Sequence, residues 1–435
     1  LIYYTNGIKA WNSAGTEVSN SVGEGTEGLG KTGSAAQGII SIRHPLTPKK
    51  YYAVATNDVL SGGVKTNYNV FDETGAEITG NTFLPGNVIA AEGISATLHA
   101  NGLDIWVAIQ EIGSTKLYAW LLTCDGFITD PVSSNVTKTC SAGRGGIAFS
   151  HDGKKLASTF PVGGRTNICV YDFDNKTGKF SNREDIGGVL GGPYGISSAV
   201  GYDVVFSKDD KQLIVGGQTG NKSFRVDLSI EVLFNSGALY DSNNGAPGVP
   251  LNRNIFFIDG PDETHHAVEI GPDGNYYFNG KDGLWKWTGS GAATKVGGNL
   301  GSSTGQGLPS IYIPPAEEPD IEEVKAYCND LDSFIDLNTY WVCNKLSAED
   351  TVGGKAPEEQ RHKYWILDTN DVSKILKGSS TILDSLTGKY KPKDWAAKFG
   401  PKEYQVVFEY CNVNDTIKVV IQDCQKCLVE ITEDS

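Results

Sequence analysis

The chain has 435 residues, more than the roughly 250–300 that one hydrophobic core usually supports, so two domains are predicted. Its formal charge of −15 excludes nucleic acid and anionic lipid from the predicted partners, because binding either one requires a basic surface. No apolar run approaches the roughly 20 residues that span a bilayer, and 53 glycines with many aromatic residues indicate a turn-rich β protein.

The amino terminus begins on a strand-like stretch, "LIYYTN" (1–6), and continues into a hairpin, "IKAWNSAGTEV" (8–18). No signal peptide is visible. Because the chain begins on Leu1 and contains no methionine, we expect it to be a piece of a longer protein.

That hairpin is the first of six similar hairpins before residue 300. They recur at intervals of roughly 50 residues, the spacing of repeat architectures built from small sheets. Their ranges are 8–18, 68–78, 117–128, 168–180, 224–233 and 284–296.

A second phrase precedes the later hairpins. "IAFSHDGKKLAS" (147–158) returns as "VVFSKDDKQLIV" (204–215) and "VEIGPDGNYYF" (268–278), with a looser copy, "TLHANGLDIWV", at 97–107. Each reads as strand, tight turn and strand, so one phrase with one hairpin makes four short antiparallel strands. This unit is typical of a β-propeller blade. Six blades are favoured, and a seventh remains possible within 234–262.

The turns of this phrase carry residues that tolerate positive φ. Asp-Gly pairs recur at Asp152–Gly153 and Asp273–Gly274, where a tight hairpin requires such conformations. We therefore interpret these aspartates as turn residues and not as catalytic acids.

Closure of the ring has a candidate strand after the sixth hairpin. "GLPSIYIPP" (307–315) reads as a lone strand ended by prolines, and the first blade lacks one strand. We predict that this segment pairs with Leu1–Thr5, and that Ile311 lies beside Tyr3.

The propeller is predicted to span 1–314, with an acidic, proline-containing linker at 315–320 and a second domain at 321–435. The alternating segments "VKAYCND", "TYWVCNK", "HKYWILD", "EYQVVFEYC" and "DTIKVVIQDC" predict an Ig-like β-sandwich there. "KDWAAKF" (393–399) is interpreted as an insertion that forms either a short helix or a loop.

The eight cysteines predict disulfides more than zinc or free thiols, because only Cys424 and Cys427 have a metal-type spacing. The pairing stays open. The disulfide candidates are Cys124, Cys140, Cys328, Cys343, Cys411, Cys424 and Cys427.

Five residues are candidates for binding a ligand. His265 and His266 are adjacent, so in a strand they point to opposite faces and do not readily share a metal, although one could line the central channel. His99, at the end of an inner strand, has the same two interpretations. Trp285 and Trp287 share one strand face, where packing between blades competes with stacking on a sugar.

No catalytic motif, phosphate loop, dinucleotide fingerprint or metal-binding pattern is present, so no catalytic residue, metal or cofactor is predicted.

Several segments, in order, resemble a known group of proteins. "LIYYTNGIKAWN", "KLYAWLLTCDGF", "VYDFDNKTGKFSN", "SFRVDLS", "GPDGNYYF" and "GLPSIYI" resemble the propeller of large Bacteroidetes cell-surface proteins, the gliding-motility and adhesin types exported by type IX secretion. This resemblance covers 1–314. "KYWILDTND" and "EYQVVFEYCNVNDTIKVVI" are similar to PKD-type Ig-like modules, although the Gly-Asp-Gly of such modules is absent.

The resemblance implies export to the outer face of the outer membrane and a non-enzymatic role in adhesion, recognition or display. The expected partner is a surface glycan or a protein. Two alternatives remain: a propeller enzyme of glycosidase or lactonase type with its site at the axial mouth, or an architectural, protein-binding subunit of a secretion or motility assembly.

Overall fold

The structure is a computed structural model of the chain. It describes residues 3–5, 10–19, 38–44, 49–56, 65–100, 102, 104–123, 126–127, 130–136, 145–162, 165–187, 201–217, 223–228, 255–258, 265–280, 283–297, 310–312, 324–326, 335–336, 362–368, 371–385, 388–400, 402–410 and 413–421. The chain divides into two compact units. The first comprises 1–97, 105–122 and 127–314, and the second comprises 98–104, 123–126 and 315–435.

The described residues up to 314 form six sheets, in which neighbouring strands along the chain pair antiparallel. The first sheet contains β1 (Tyr3–Thr5), β2 (Ala10–Asn12) and β3 (Glu17–Ser19). The second contains β4 (Ile39–Arg43), β5 (Lys50–Ala55), β6 (Asn67–Asp72) and β7 (Glu77–Phe83). The third contains β8 (Ala90–Leu98), β9 (Ile105–Glu111) and β10 (Lys116–Thr123), and both β11 (Gly126–Phe127) and β12 (Val132–Asn135) pair with β10.

The other three sheets have four strands each. The fourth contains β13 (Ile147–Phe149), β14 (Lys155–Val162), β15 (Arg165–Asp174) and β16 (Lys179–Gly187). The fifth contains β17 (Gly201–Phe206), β18 (Gln212–Gly217), β19 (Phe224–Asp227) and β20 (Ile255–Phe257). The sixth contains β21 (His265–Ile270), β22 (Tyr276–Gly280), β23 (Gly283–Trp287) and β24 (Thr294–Lys295).

This succession of small antiparallel sheets is a β-propeller, and the six sheets of the described residues are its blades. The predicted β-propeller is confirmed, and the described residues form six sheets, the number that the sequence favours. Of the stretch that could have held a seventh blade, 255–257 forms the outer strand of the fifth sheet, and 229–254 lies outside the described residues.

Packing between blades explains why their inner strands read as unbroken apolar runs. Side chains alternate along a strand, so Val204 packs toward the fourth blade while Val205 packs toward the sixth. Both faces of β17 are therefore buried, and all six of its residues are buried. Burying apolar surface stabilises a fold by about 25 cal/mol per Å². Because a blade buries apolar surface on both faces, this burial is its main source of stability.

The strand after the sixth blade pairs differently from the prediction. β25 (Ser310–Tyr312) lies parallel to β4, with Ile311 opposite Ser41, and not beside Tyr3. The predicted pairing of Ile311 with the Tyr3 strand is therefore wrong, although this segment does return to the amino-terminal blades. β25 is thus a fifth strand of the sheet of the second blade, which has the order β25-β4-β5-β6-β7.

The second unit is built on one five-stranded sheet. Its order is β26 (Val324–Ala326), β32 (Val413–Ile421), β31 (Glu403–Tyr410), β28 (His362–Asp368) and β29 (Asp371–Ile375), with β26 parallel to β32. β27 (Ile335–Asp336) pairs with β30 (Lys389–Tyr390). Four predicted strands are found; "TYWVCNK" and the linker 315–320 lie outside the described residues, so the sandwich and the domain boundaries stay predictions.

Two helices accompany this sheet, α1 (Ser379–Ile382) and α2 (Pro392–Phe399). For "KDWAAKF" the structure shows the helix and not the loop: Pro392 occupies the first turn of α2, and Gly400 follows its end with a φ of 87°. Its Trp395 is buried against Tyr390 and Tyr404, with ring centroids 4.6 and 5.2 Å away. Neither helix of the described residues has the length and apolarity that crossing a membrane requires.

Candidate functional site

The inner edges of the third and fifth blades are joined by a buried hydrogen bond. The Tyr202 hydroxyl donates to Glu92 Oε2 at 2.6 Å, and both residues are almost completely buried. The Glu92 carbonyl oxygen accepts from Thr56 Oγ1 at 2.8 Å, which extends the link to the second blade. These buried hydrogen bonds link three blades, and breaking either one would leave buried polar groups unsatisfied.

Two glycines let the backbone of the fourth blade approach Tyr202 and Asp203 of the fifth blade closely. Gly146 N donates to the Tyr202 carbonyl at 2.7 Å, and Thr159 Oγ1 donates to the same oxygen at 3.0 Å. A Cβ on Gly146 would overlap Asp203 Oδ1, and Gly145 has a φ of 111°. Glycine is required at both positions because the backbones approach so closely.

Asp203 continues the link to the sixth blade. It is fully buried and accepts from Val204 N at 2.9 Å and from Val268 N, in β21, at 3.1 Å. Burial raises the pKa of this carboxyl well above its usual value, and the nearby Glu269 charge raises it further. Thr56, Glu92, Gly146, Thr159, Tyr202 and Asp203 together form what we call the inner polar belt.

The inner polar belt positions blades and does not present chemistry to solvent. Both of its carboxyl groups are buried, and each accepts hydrogen bonds from a neighbouring blade. A general acid or base must reach the proton of a bound substrate, which a fully buried carboxyl cannot do. Among the described residues, no group of three or more His, Cys, Asp or Glu could hold a metal ion.

The repeated turns are built as the sequence predicted. Ser150 Oγ donates to Asp152 Oδ1 at 2.7 Å, and the equivalent Ser207 Oγ donates to Asp209 Oδ1 at 2.6 Å. Positive φ occurs at Gly102, Gly153, Asp210 and Gly274, one in each copy of the phrase. Asp152 and Asp273 are therefore turn residues.

Successive turns also contact each other. Asp210, in the turn of the fifth blade, accepts from the backbone N–H of His151 at 2.8 Å and of Asp152 at 3.0 Å in the fourth. The Lys208 ammonium lies against Gly274 of the sixth blade, where a Cβ would overlap it. The turns thus connect three blades on one side of the propeller.

The three candidate histidines occupy two places. His99 is buried, and its backbone N–H donates to the Asp104 carbonyl at 2.8 Å. The backbone N–H of Ser150 makes the equivalent bond to the Lys155 carbonyl in the next copy of the phrase. His265 and His266 begin β21, where a register shift falls between His265 and Ala267. The side chains of His265 and His266 lie outside the described part of the structure, so their role stays a prediction.

The two candidate tryptophans lie in the core between the fifth and sixth blades. Trp285 is 8% exposed and Trp287 is 4% exposed, and both pack with Val205 and Ile214. Trp287 Nε1 also donates to the Gly291 carbonyl at 2.9 Å. Neither indole offers an open face to a sugar, so packing accounts for both.

The structure shows a disulfide at Cys169, the one cysteine that was not among the disulfide candidates. Cys169, in β15, is fully buried and disulfide-bonded. The seven disulfide candidates, Cys124, Cys140, Cys328, Cys343, Cys411, Cys424 and Cys427, lie outside the described residues.

Sequence reasoning also missed the inner polar belt, although a signal for it existed. Asp203 stands in the otherwise buried strand "GYDVVF", and Glu92 stands in the largely buried "AAEGISATL". A carboxylate in a strand buried on both faces requires a hydrogen-bonding partner, so these positions could have been singled out.

No protein-family model and no curated protein matches the chain. Among solved structures it is similar to a functionally unknown protein from Desulfotomaculum acetoxidans, at 12% identity and a TM-score of 0.38 over 69% of this chain and 80% of that one. It is also similar to the Dos1 propeller (10%, TM-score 0.37, 67% and 64%) and to TolB from Acinetobacter baumannii (14%, TM-score 0.34, 68% and 61%). These likenesses assign no family, and it is by its own six sheets that this chain is a β-propeller.

Proposed function

We propose that this chain is a non-enzymatic recognition or display segment of a large exported bacterial surface protein of the gliding-motility or adhesin type. The propeller serves as a rigid head, and the carboxy-terminal unit, a PKD-like or Ig-like module in this proposal, connects it to the rest of the protein. The partner is a surface glycan or a protein. The site of action is the outer face of the outer membrane, reached by type IX secretion.

The disulfide of Cys169 is the observation that carries the proposal. Disulfides form and persist in oxidising compartments and are rare in the bacterial cytosol. Cys169 is fully buried in β15, opposite Ser158 of β14, so its sulfur is shielded from solvent. A structural bond of this kind supports export.

The state of the buried acids supports a non-enzymatic role. Glu92 and Asp203 bind groups of neighbouring blades, so both act within the fold. Asp152, Asp209 and Asp273 accept hydrogen bonds within their own turns. These carboxylates are accounted for by the architecture, and rigid positioning of loops is what a recognition scaffold needs.

The charge of the chain supports the choice of partner. A formal charge of −15 repels phosphate backbones and anionic membranes but does not oppose binding to neutral glycans or to basic protein surfaces.

The proposal is tested with the full chain on a glycan array and by co-purification from outer membranes of cells that produce the protein. Binding to a defined set of glycans, or recovery of one stoichiometric protein partner, is the expected result. The first outcome identifies a carbohydrate-binding adhesin, and the second identifies the architectural alternative.

Location is tested separately by protease treatment of intact cells, which should remove the protein while cytosolic proteins persist. Persistence of this chain in intact cells would contradict surface display. Turnover of lactone or glycoside substrates by the purified chain, with a blank array and no co-purified partner, would replace the proposal with the enzyme alternative.

A further inference from the structure

We propose that the first two blades hold a Ca²⁺ ion between them, in a site formed by Asn69, Glu77 and Asn81, with Ser19 at its edge. We call these four residues the blade 1–2 oxygen cluster. It is separate from the inner polar belt and does not depend on the function proposed above.

Strand pairing brings the members of the cluster together. Asn69 lies on β6, Glu77 and Asn81 lie on β7, and the pairing of these strands shifts register between Tyr68 and Val70. Asn81 sits at this shift with a φ of 35°, in the left-handed region where asparagine is tolerated. Ser19 reaches the cluster from β3 of the first blade, where its Oγ donates to Glu77 Oε1 at 2.9 Å.

The cluster contains a buried acceptor that no residue in the described part of the chain satisfies. Asn69 is fully buried; its Nδ2 donates to Glu77 Oε1, while its Oδ1 has no hydrogen-bond donor. Both atoms belong to one amide, so Oδ1 lies beside the carboxylate that Nδ2 contacts. A buried polar atom without a partner costs about 1–3 kcal/mol, so such an atom indicates a bound group.

The carboxylate of the cluster carries a charge that the protein does not balance. Glu77 is partly buried, and Ser19 and Asn69 are neutral donors that both approach the same oxygen, Oε1. In the described part of the chain no Lys, Arg or His forms an ion pair with it. An anion and an unsatisfied amide oxygen side by side require a cation or a donor.

The backbone leaves room for an ion and a path to reach it. Gly80 lies under the Glu77 carboxylate, where a Cβ would stand 3.2 Å from Oε1. Asn81 is exposed, so the cluster opens to solvent on that side while Asn69 closes it at the base.

The ligand types favour Ca²⁺ over other metals. The possible ligand atoms are oxygens from three strands: those of one carboxylate, one hydroxyl and two amides, of which Asn81 Oδ1 also accepts from Asn67 Nδ2 at 2.5 Å. Ca²⁺ accepts irregular oxygen sets and retains water, whereas Mg²⁺ demands near-ideal octahedral geometry. With one carboxylate the expected dissociation constant is about 10⁻⁴–10⁻³ M, the range of extracellular modules.

The test measures thermal unfolding of the full chain, stripped with chelator, at increasing CaCl₂ and at equal concentrations of MgCl₂. At about 10 mM Ca²⁺ we expect the Tm to rise by about 2–4 °C, and Mg²⁺ to produce a smaller rise. Isothermal titration calorimetry should show one more bound Ca²⁺ in the wild type than in the Glu77→Gln variant.

Three variants separate binding from a purely structural role. Glu77→Gln keeps the shape and an acceptor for Ser19 and Asn69 but removes the charge, so the Ca²⁺-dependent rise should disappear. Asn69→Asp places a second carboxylate in the site, so it should lower the Tm without Ca²⁺ and increase the rise caused by Ca²⁺. Glu73→Gln, on the same hairpin, removes an exposed carboxylate that pairs with Lys49 at 3.1 Å and should leave the rise unchanged.

An equal Ca²⁺ response in the wild type and in Glu77→Gln would overturn the proposal, as would no response up to about 10 mM, far above the expected dissociation constant. A response to Ca²⁺ that Mg²⁺ reproduces in full would also overturn it, because such a response reports ionic strength. In each case the buried Asn69 oxygen is satisfied by water alone.

Discussion

At the scale of single residues, the inner polar belt shows that this fold accommodates a buried carboxyl group through hydrogen bonds from a neighbouring blade. Asp203 has no exposed surface, and its two hydrogen bonds come from backbone N–H groups of its own blade and the next. Asp273 has the opposite environment, exposed in a turn beside Lys286 at 2.8 Å. The two aspartates should therefore affect stability in opposite directions as pH changes.

For Asp203, stability should fall as pH rises. The pKa of its carboxyl is raised in the folded protein, chiefly by burial, while in the unfolded chain it titrates near about 3.9. The folded state binds the extra proton above that value, so the contribution is complete at low pH and is lost as pH rises through the folded pKa. Asp203→Asn removes this pH-dependent contribution. It also replaces one of the two acceptor oxygens by an amide nitrogen, so one backbone N–H loses its partner at a cost of about 1–3 kcal/mol.

Thermal unfolding at pH 5 and pH 7.5 checks this expectation. The variant should be less stable than the wild type at pH 5, and the deficit should shrink at pH 7.5. A deficit that grows between these two values would show that Asp203 is held as a stabilising anion.

For Asp273, stability should fall as pH drops. The hydrogen bond from Lys286 is the main cause that lowers the pKa of this carboxyl, followed by Asn275. Its contribution is present above the unfolded pKa of about 3.9 and is lost as pH falls toward the lower folded value. The difference in Tm between the wild type and Asp273→Asn should therefore shrink from pH 5 to pH 3, and a constant difference would contradict this assignment.

At the scale of elements, tryptophans of the third blade attach it to its neighbours. Trp106, in β9, donates from Nε1 to the Asn175 carbonyl at 2.7 Å and packs on Gly178 in the turn between β15 and β16. Trp120, in β10, donates to the Pro85 carbonyl between the second and third blades at 2.9 Å. Only the structure shows which turns these two tryptophans contact.

Gly178→Ala should destabilise the protein more than Gly113→Ala. Both glycines have positive φ, 73° and 65°, so alanine is strained by about 1–2 kcal/mol at either position. At Gly178 the new Cβ would also lie 2.6 Å from Trp106 Cη2, whereas at Gly113 nothing lies within 4 Å. Overpacking adds about 1–3 kcal/mol.

Urea unfolding of both variants measures the difference directly. The larger loss should occur at Gly178, and substitution of Trp106 by a smaller residue should reduce it. Equal losses at the two glycines would show that the contact with Trp106 adds no strain.

At the scale of the whole molecule, the ring joins regions far apart in sequence. β25 returns to β4 from 270 residues further along the chain, as the partners Ser310 and Ile40 show. Cys169 is the one cysteine of the fourth blade, so its disulfide links that blade to a cysteine elsewhere in the chain.

Reduction should lower the Tm of the wild type, because a native disulfide typically contributes about 2–4 kcal/mol by restricting the unfolded chain. Cys169→Ser should have a lower Tm under oxidising conditions and should respond less to reductant than the wild type. Peptide mapping by mass spectrometry without reduction should recover Cys169 in a cross-linked peptide. Equal effects of reductant on both proteins would contradict a structural role for this bond.

The sequence alone was sufficient for the β-propeller, its six blades and the chemistry of its turns. These features are local: each blade repeats its own strand pattern, and Gly153 or Gly274 meets the φ requirement of its own turn without help from distant residues. The helix at Pro392–Phe399 was predictable for the same reason.

Only the tertiary structure decided the partner of the closing strand, the bonding of Cys169 and the roles of Glu92, Tyr202 and Asp203. A strand of three residues, Ser310–Tyr312, contains too few side chains to specify one edge over another, so its pairing depends on which edge the assembled ring leaves open. Likewise a buried carboxylate is stable only beside donors that other blades supply. Such contacts join residues 110 positions apart, as between Tyr202 and Glu92, and no local pattern records them.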